Sequence, residues 1–197
     1  MNLFAHFKQV LLLMTVMAGL VMHSSANAYS YAAAGKEPLI EGRELILSAV
    51  ADADYTAVES AVNGLKEEFD YLLSDHGVDL YTPMSVAIKS KNGAVIESII
   101  DQAIVEEIIR RLDGAEQNLN DYQVAKVLVV KSKLFLDLIM PKLDDENRKA
   151  ANQAVQGVLV SIGNPGVFGV GQAPADAAMF TEQRSVLLDA IKGLKQH

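Results

Sequence analysis

The chain has no cysteine and no tryptophan, and only four histidines and five prolines among its 197 residues. Without cysteine there is no disulfide, no thiolate metal site, no thiol nucleophile and no thioether-linked haem. Three of the histidines, His6, His23 and His197, lie near the ends, so His76 is the one internal imidazole. A histidine-rich metal centre is therefore out of reach, and a Ser-His-Asp triad would have to use His76. Lys and Arg are outnumbered: 17 basic residues stand against 25 acidic, a net charge of −8. That charge repels nucleic acid and anionic lipid, and it suits a basic protein partner or a cation.

The first 28 residues read as a secretory signal peptide. "MNLFAHFK" carries one basic side chain, Lys8. "VLLLMTVMAGLVM" is a short apolar run, and Ala26-Asn27-Ala28 supplies a small-residue exit. A membrane-spanning helix needs about 20 apolar residues, more than this run offers. The expected mature chain begins at Tyr29, is exported to the periplasm, and carries 16 basic against 25 acidic residues. No later stretch has membrane length, so no stable membrane insertion is expected after cleavage. The 169 remaining residues can bury a real core and are expected to form one helical domain, with 29–37 as a flexible lead-in.

Apolar residues recur at helical spacing through most of this domain. Pro38 to Ala51 reads as a first helix, with Pro at the first turn. Asp54 caps a second, expected to run from about Tyr55 to Leu73, with Val58, Val62, Leu65, Phe69 and Leu72 inward. Ser74 to Pro83 reads as a loop, with Thr82-Pro83 opening a short helix. Ala94 to Leu112 is helical with branched aliphatics on a wide arc, which places it centrally. Asn120 is expected to cap a helix to Met140, stopped by Pro141. Asp144 or Asp145 starts another to about Ile162, and Asp176 or Thr181 starts the last, to about Leu194. No stretch alternates with period two for long. The fold class is all-α, six or seven helices in a compact domain.

One stretch carries a family signature. "TPMSVAIKSKNGAVIESII", Thr82 to Ile100, resembles an ankyrin repeat. Thr82-Pro83 matches the turn that opens the first helix, Ala87 the small residue between helices, and Val95-Ile96 and Ile99-Ile100 the aliphatic pairs of the second. Leu45 to Val62 reads as a looser preceding copy. Ser85 replaces the expected histidine, the inter-helix glycine is displaced, and no third copy follows Leu112. The resemblance implies degenerate ankyrin-like helix pairs near 45–100 and a protein-binding surface.

Candidate ligands for a metal are few. Glu37, Glu41 and Glu44 fall at i, i+4 and i+7, on one helix face. His76 lies between Asp75 and Asp79. Such carboxylates and an imidazole are the donor types a cation would use. The adjacent pairs Glu67-Glu68 and Glu106-Glu107 point about 100° apart on a helix and read as solvated faces.

The glycine-rich stretch "SIGNPGVFGVGQAPAD", Ser161 to Asp176, lacks the Gly-Lys-Ser/Thr of a phosphate loop. No Lys or Arg occurs between Lys149 and Arg184. Gly163 is expected to close a helix, and Asn164-Pro165-Gly166 to form a type II turn. Val167, Phe168 and Val170 are then an apolar plug, or the lip of a ligand or partner groove. The functional expectation is an exported helical binding or accessory protein that acts through a protein partner and is not an enzyme. The alternative is a periplasmic protein that binds a metal, haem or a small apolar ligand.

Overall fold

The structure, a computed structural model, describes residue 35, residues 37–166 and residues 171–195. The signal segment, Tyr29, Tyr31 and the apolar residues 167–170 lie outside these. Among the described residues there are eight α-helices, two short 3₁₀ turns and no strand. The helices are α1 (Pro38–Ala51), α2 (Tyr55–Gly64), α3 (Lys66–His76), α4 (Tyr81–Lys89), α5 (Gly93–Gln117), α6 (Tyr122–Ile139), α7 (Asp145–Ser161) and α8 (Ala177–Ile191). The 3₁₀ turns are Met140–Lys142 and Lys192–Lys195. Residues from Glu37 onward form one unit, and the all-α expectation holds.

Most helix starts follow from one device, a carboxylate or amide that accepts an orphan N–H of the first turn. Asp54 accepts from Ala57 at 3.0 Å and Asn92 from Val95 at 3.2 Å. Asp144 accepts from Asn147 at 2.8 Å and Asp176 from Met179 at 2.9 Å. The cap of α6 is Asp121, which accepts from both Gln123 and Val124, so Asn120 lies just outside.

The expected Tyr55–Leu73 helix is two helices. It breaks at Gly64-Leu65, where Leu65 turns its side chain into the core and α3 sets off anew. The period of the apolar residues survives such a break, which hid it. Helix α3 continues to His76 and ends on Gly77, whose φ of 69° is the left-handed cap that glycine favours. Helix α4 begins one residue before Thr82, because Asp79 rather than Thr82 accepts the first-turn N–H. The break alone turns the seven segments read from the sequence into eight helices.

Helix α5 is the axis of the fold. It touches α1, α3, α4, α6, α8 and the final 3₁₀ turn. Thirteen of its 25 residues are buried, among them Ile96, Ile100, Ala103, Ile104, Ile108 and Leu112. The strongest pairings are α5 with α6 and α7 with α8, followed by α1 with α2. The glycine-rich connection between α7 and α8 is closed at its base. Asn164 and Ala173 exchange backbone hydrogen bonds of 2.8 and 2.9 Å, and the Asp176 N–H reaches back to the Ser161 carbonyl. Gly163 takes φ 80°, and a Cβ there would come within 2.8 Å of three backbone atoms. Gly166 takes φ 73° and donates its N–H to Asn164 Oδ1 at 2.9 Å; the fourth residue of the expected type II turn, Val167, lies outside the described residues.

Two helix pairs share one turn. In α1–α2, Asp52 donates to the Ser48 carbonyl at 3.1 Å, Ala53 to Val50 at 3.0 Å, and Asp54 to Ala49 at 2.9 Å. In α4–α5, Ser90 donates to Val86 at 3.0 Å, Lys91 to Ile88 at 3.0 Å, and Asn92 to Ala87 at 2.9 Å. Among the described residues, Ala53 and Lys91 are the two non-glycine residues with positive φ, 55° and 53°. The same register pairs buried Ile46 with Met84, Ala49 with Ala87, Val58 with Ile96 and Val62 with Ile100. The segment read from sequence as a looser preceding copy thus has the same local structure as the better one. Helix α3 lies between the pairs, and the second helix of the second pair runs far past the repeat.

Candidate functional site

The groove between the two pairs has a volume of about 500 Å³. One wall is the start of α2, with Asp54, Tyr55, Thr56 and Glu59. The other is α4 and the turn after it, with Tyr81, Ser85, Lys89 and Lys91; Val62 and Ile88 form part of the floor. The Tyr81 hydroxyl donates to Asn63 Oδ1 at 2.8 Å and ties the walls together. Carboxylates on one wall and ammonium groups on the other give the groove a charge direction. Two part-buried tyrosines offer flat, rigid contact surface of the kind that dominates binding interfaces. The side-chain pattern gave no notice of it, because the groove arises from the relative placement of two pairs 38 positions apart.

The metal candidates lie apart from one another. Glu41 and Glu44 are exposed on α1. Glu37 precedes α1 and is buried, 8% exposed. Arg111 donates to its Oε2 at 2.5 Å, and Lys131 Nζ lies 2.7 Å from Oε1, close enough for ionic attraction but off hydrogen-bond geometry. Its carboxylate is thus committed to two cations of the chain itself. His76 occupies the last turn of α3, and its Nδ1 is 3.4 Å from Glu106 Oε2. The flanking acids are engaged elsewhere: Asp75 accepts from Ser74, and Asp79 from the Thr82 N–H. The four residues do not converge, and among the described residues no group of three His, Asp or Glu could hold a metal ion. Val167, Phe168 and Val170 lie outside the described residues.

Sequence reading missed the charges inside the core. Glu106 and Glu107 were expected on a solvated face; they are 2% and 4% exposed. Glu107 accepts from Arg110 Nε at 2.9 Å and lies 3.1 Å from Arg111. Lys195 Nζ lies 2.8 Å from Glu106 Oε1. Asp101, also buried, accepts from Lys142. The signal was present in α5 itself. A helix apolar almost all round leaves its few charged residues no face to reach water, so they must find partners. Burial lowers the Arg111 pKa, partly countered by Glu107 and Glu37, and the Arg111 guanidinium also stacks over Phe135, 4.8 Å from the ring centre. The hydrogen bond to Glu107 holds the Arg110 pKa above its usual value.

This network lines a small cleft of about 180 Å³ between α1, α3, α5 and α6, with Pro38, Glu68, Tyr71 and Phe135 at its walls. Its carboxylates and guanidiniums neutralise one another. The cluster therefore acts as a polar staple that fixes the chain's entry into α1 against α5 and α6. Among the described residues no helix is long and apolar enough to cross a membrane. No protein-family model matches the chain, no curated protein matches it significantly, and no solved structure does.

Proposed function

We propose that this is an exported helical binding module that works by holding a segment of a partner protein in the groove between its two helix pairs. The observation that supports this reading is the groove itself: two pairs with the same turn, α2 of one facing α4 of the other, with Tyr55 and Tyr81 in an opening about 500 Å³ in volume. The ankyrin-like residues of the second pair point the same way, since the resemblance implies a protein-binding surface. Export to the periplasm rests on the signal-like first 28 residues, with cleavage after Ala28. The acidic balance of the chain favours a partner with basic character.

Photocrosslinking in the native cell tests the reading. A crosslinkable residue at Thr56 or Ser85, in the groove, should form one discrete adduct, whereas one at Val160 or Val186, exposed on α7 and α8, should form none. Adducts only from α7 and α8 would overturn it. So would protein recovered with stoichiometric iron, copper or haem, which would favour the metal, haem or small-ligand alternative. N-terminal sequencing that finds Met1 intact on exported protein would remove the cleavage after Ala28.

A further inference from the structure

A second concavity, about 460 Å³, lies on a different face, between α1 and α2. Its lining is largely apolar: Pro38, Leu45, Ala57, Ala61 and Leu65, with Glu41 at the edge. Leu45 is 63% exposed, more than any other leucine described. The second helix pair shows why the face is open. Where it buries Leu80 and Ile99, at 1% and 3% exposure, the first pair has Gly42 and Ala61. Leu65 folds over Gly42, and the remaining missing volume is the groove.

We infer that this α1–α2 groove binds a basic amphipathic helix of a partner protein. The walls are helices, whose backbone groups are already paired, so an extended segment lying here would leave its own N–H and C=O groups without partners. A helix brings those groups satisfied and offers an apolar stripe to Leu45, Ala57 and Ala61. Helix α1 gives it a track of roughly 21 Å, or about four turns. The charge of the partner is set by the rim. On α1, Glu41 lines the groove and Glu44, three residues on, is exposed, and the helix carries a single base. That base, Arg43, has its Nε buried. A second copy of the chain would set this acidic rim against an identical one, and anionic lipid or nucleic acid would meet the same repulsion. Cationic residues flanking an apolar stripe are the complement.

The inference concerns a face other than the groove between the pairs, and either can fail alone. The probe is a synthetic helix of about four turns with leucines at i, i+3/i+4 and i+7 and lysines on both flanks, titrated into the full chain and followed by amide NMR and calorimetry. It should bind one to one and shift the amides of Leu45, Ala57 and Ala61. Leu45→Ser, and separately Glu41→Lys with Glu44→Lys, should weaken it at least about tenfold. These positions are exposed, so the circular dichroism should not change. Equal binding of a scrambled peptide of the same composition would overturn the inference. So would equal binding of the peptide with Glu for Lys, or unchanged affinity in Leu45→Ser. Shifts centred on Tyr55 and Tyr81 would overturn it too, as would a dimer of the chain that Leu45→Ser dissolves.

Discussion

The α1–α2 and α4–α5 pairs share a turn and a register of buried positions but differ in side-chain volume and in what they pack against. The three backbone hydrogen bonds that close each turn agree within about 0.1 Å, and the cap bonds within about 0.2 Å. That agreement is local chemistry: a helix stops, one residue takes the left-handed region, and an Asp or Asn caps the next helix. Beyond the turn the two pairs diverge. The second pair fills its interface with Met84, Ile96, Ile99 and Ile100 and extends into the central helix, while the first has Ile46, Val58, Ala61 and Val62 and stops at Gly64. One turn can thus serve a core-forming pair and a surface pair, and side-chain volume decides which.

The largest effect should come from cutting the tie between the pairs. Arg111, on the long extension of the second pair, holds Glu37 at the entry to the first. Arg111→Met would leave two buried carboxylates, Glu37 and Glu107, short of a partner and should cost about 3–5 kcal/mol in urea unfolding. Adding Glu37→Gln and Glu107→Gln should recover much of that loss, because the penalty lies in stranded charge. If the triple variant is no better than the single, Arg111 acts through packing on Phe135 instead.

Next come the two interfaces. Ile100→Ala should cost about 2–5 kcal/mol, since the side chain is fully buried beside other fully buried neighbours. Val62→Ala, its counterpart, should cost about 1.5–3 kcal/mol at most, having less to lose at the floor of the groove between the pairs. Equal losses in paired denaturant titrations would mean that the first pair is as much core as the second.

How far the sequence reveals all this depends on the range of each interaction. The helices and their caps are legible because Asp54, Asp144 and Asp176 act on residues three positions away. The Gly163 stop is legible for the same reason. The break at Gly64-Leu65 is not, because Phe69 and Leu72 keep the apolar period across it. Nor is the pairing of Glu37 with Arg111, which joins residues 74 positions apart and depends on where α1 meets α5. Both grooves are products of packing between elements, and no single segment announces them.

A smaller test uses acid. Only in the second pair does a carboxylate accept a first-turn N–H at the start of the first helix: the Asp79 pKa is lowered by hydrogen bonds from the Thr82 N–H and hydroxyl, whereas Glu37 at the start of α1 makes no such cap. A lowered folded pKa gives stability that is present above the ordinary carboxyl range and is lost as pH falls through the folded value. Hydrogen exchange should therefore show the start of α4 loosening as pH drops below about 4, and Asp79→Asn should remove that pH dependence. An α1 start that loosens in parallel would mean that the change is global.

The smallest effect bears on the turn itself. Ala53 and Lys91 sit at φ 55° and 53°, where a Cβ crowds the following carbonyl at a cost of about 1–2 kcal/mol. Glycine avoids that cost but gives up about 0.5–1 kcal/mol through the greater freedom of the unfolded chain. Lys91→Gly and Ala53→Gly should therefore each stabilise the fold slightly, by about 0.5–1 kcal/mol, and by similar amounts. Similar gains would show that the two turns carry the same strain, whatever their pairs pack against. If only Lys91→Gly stabilises, the first turn relaxes in solution, and the likeness between the pairs ends at the turn as well.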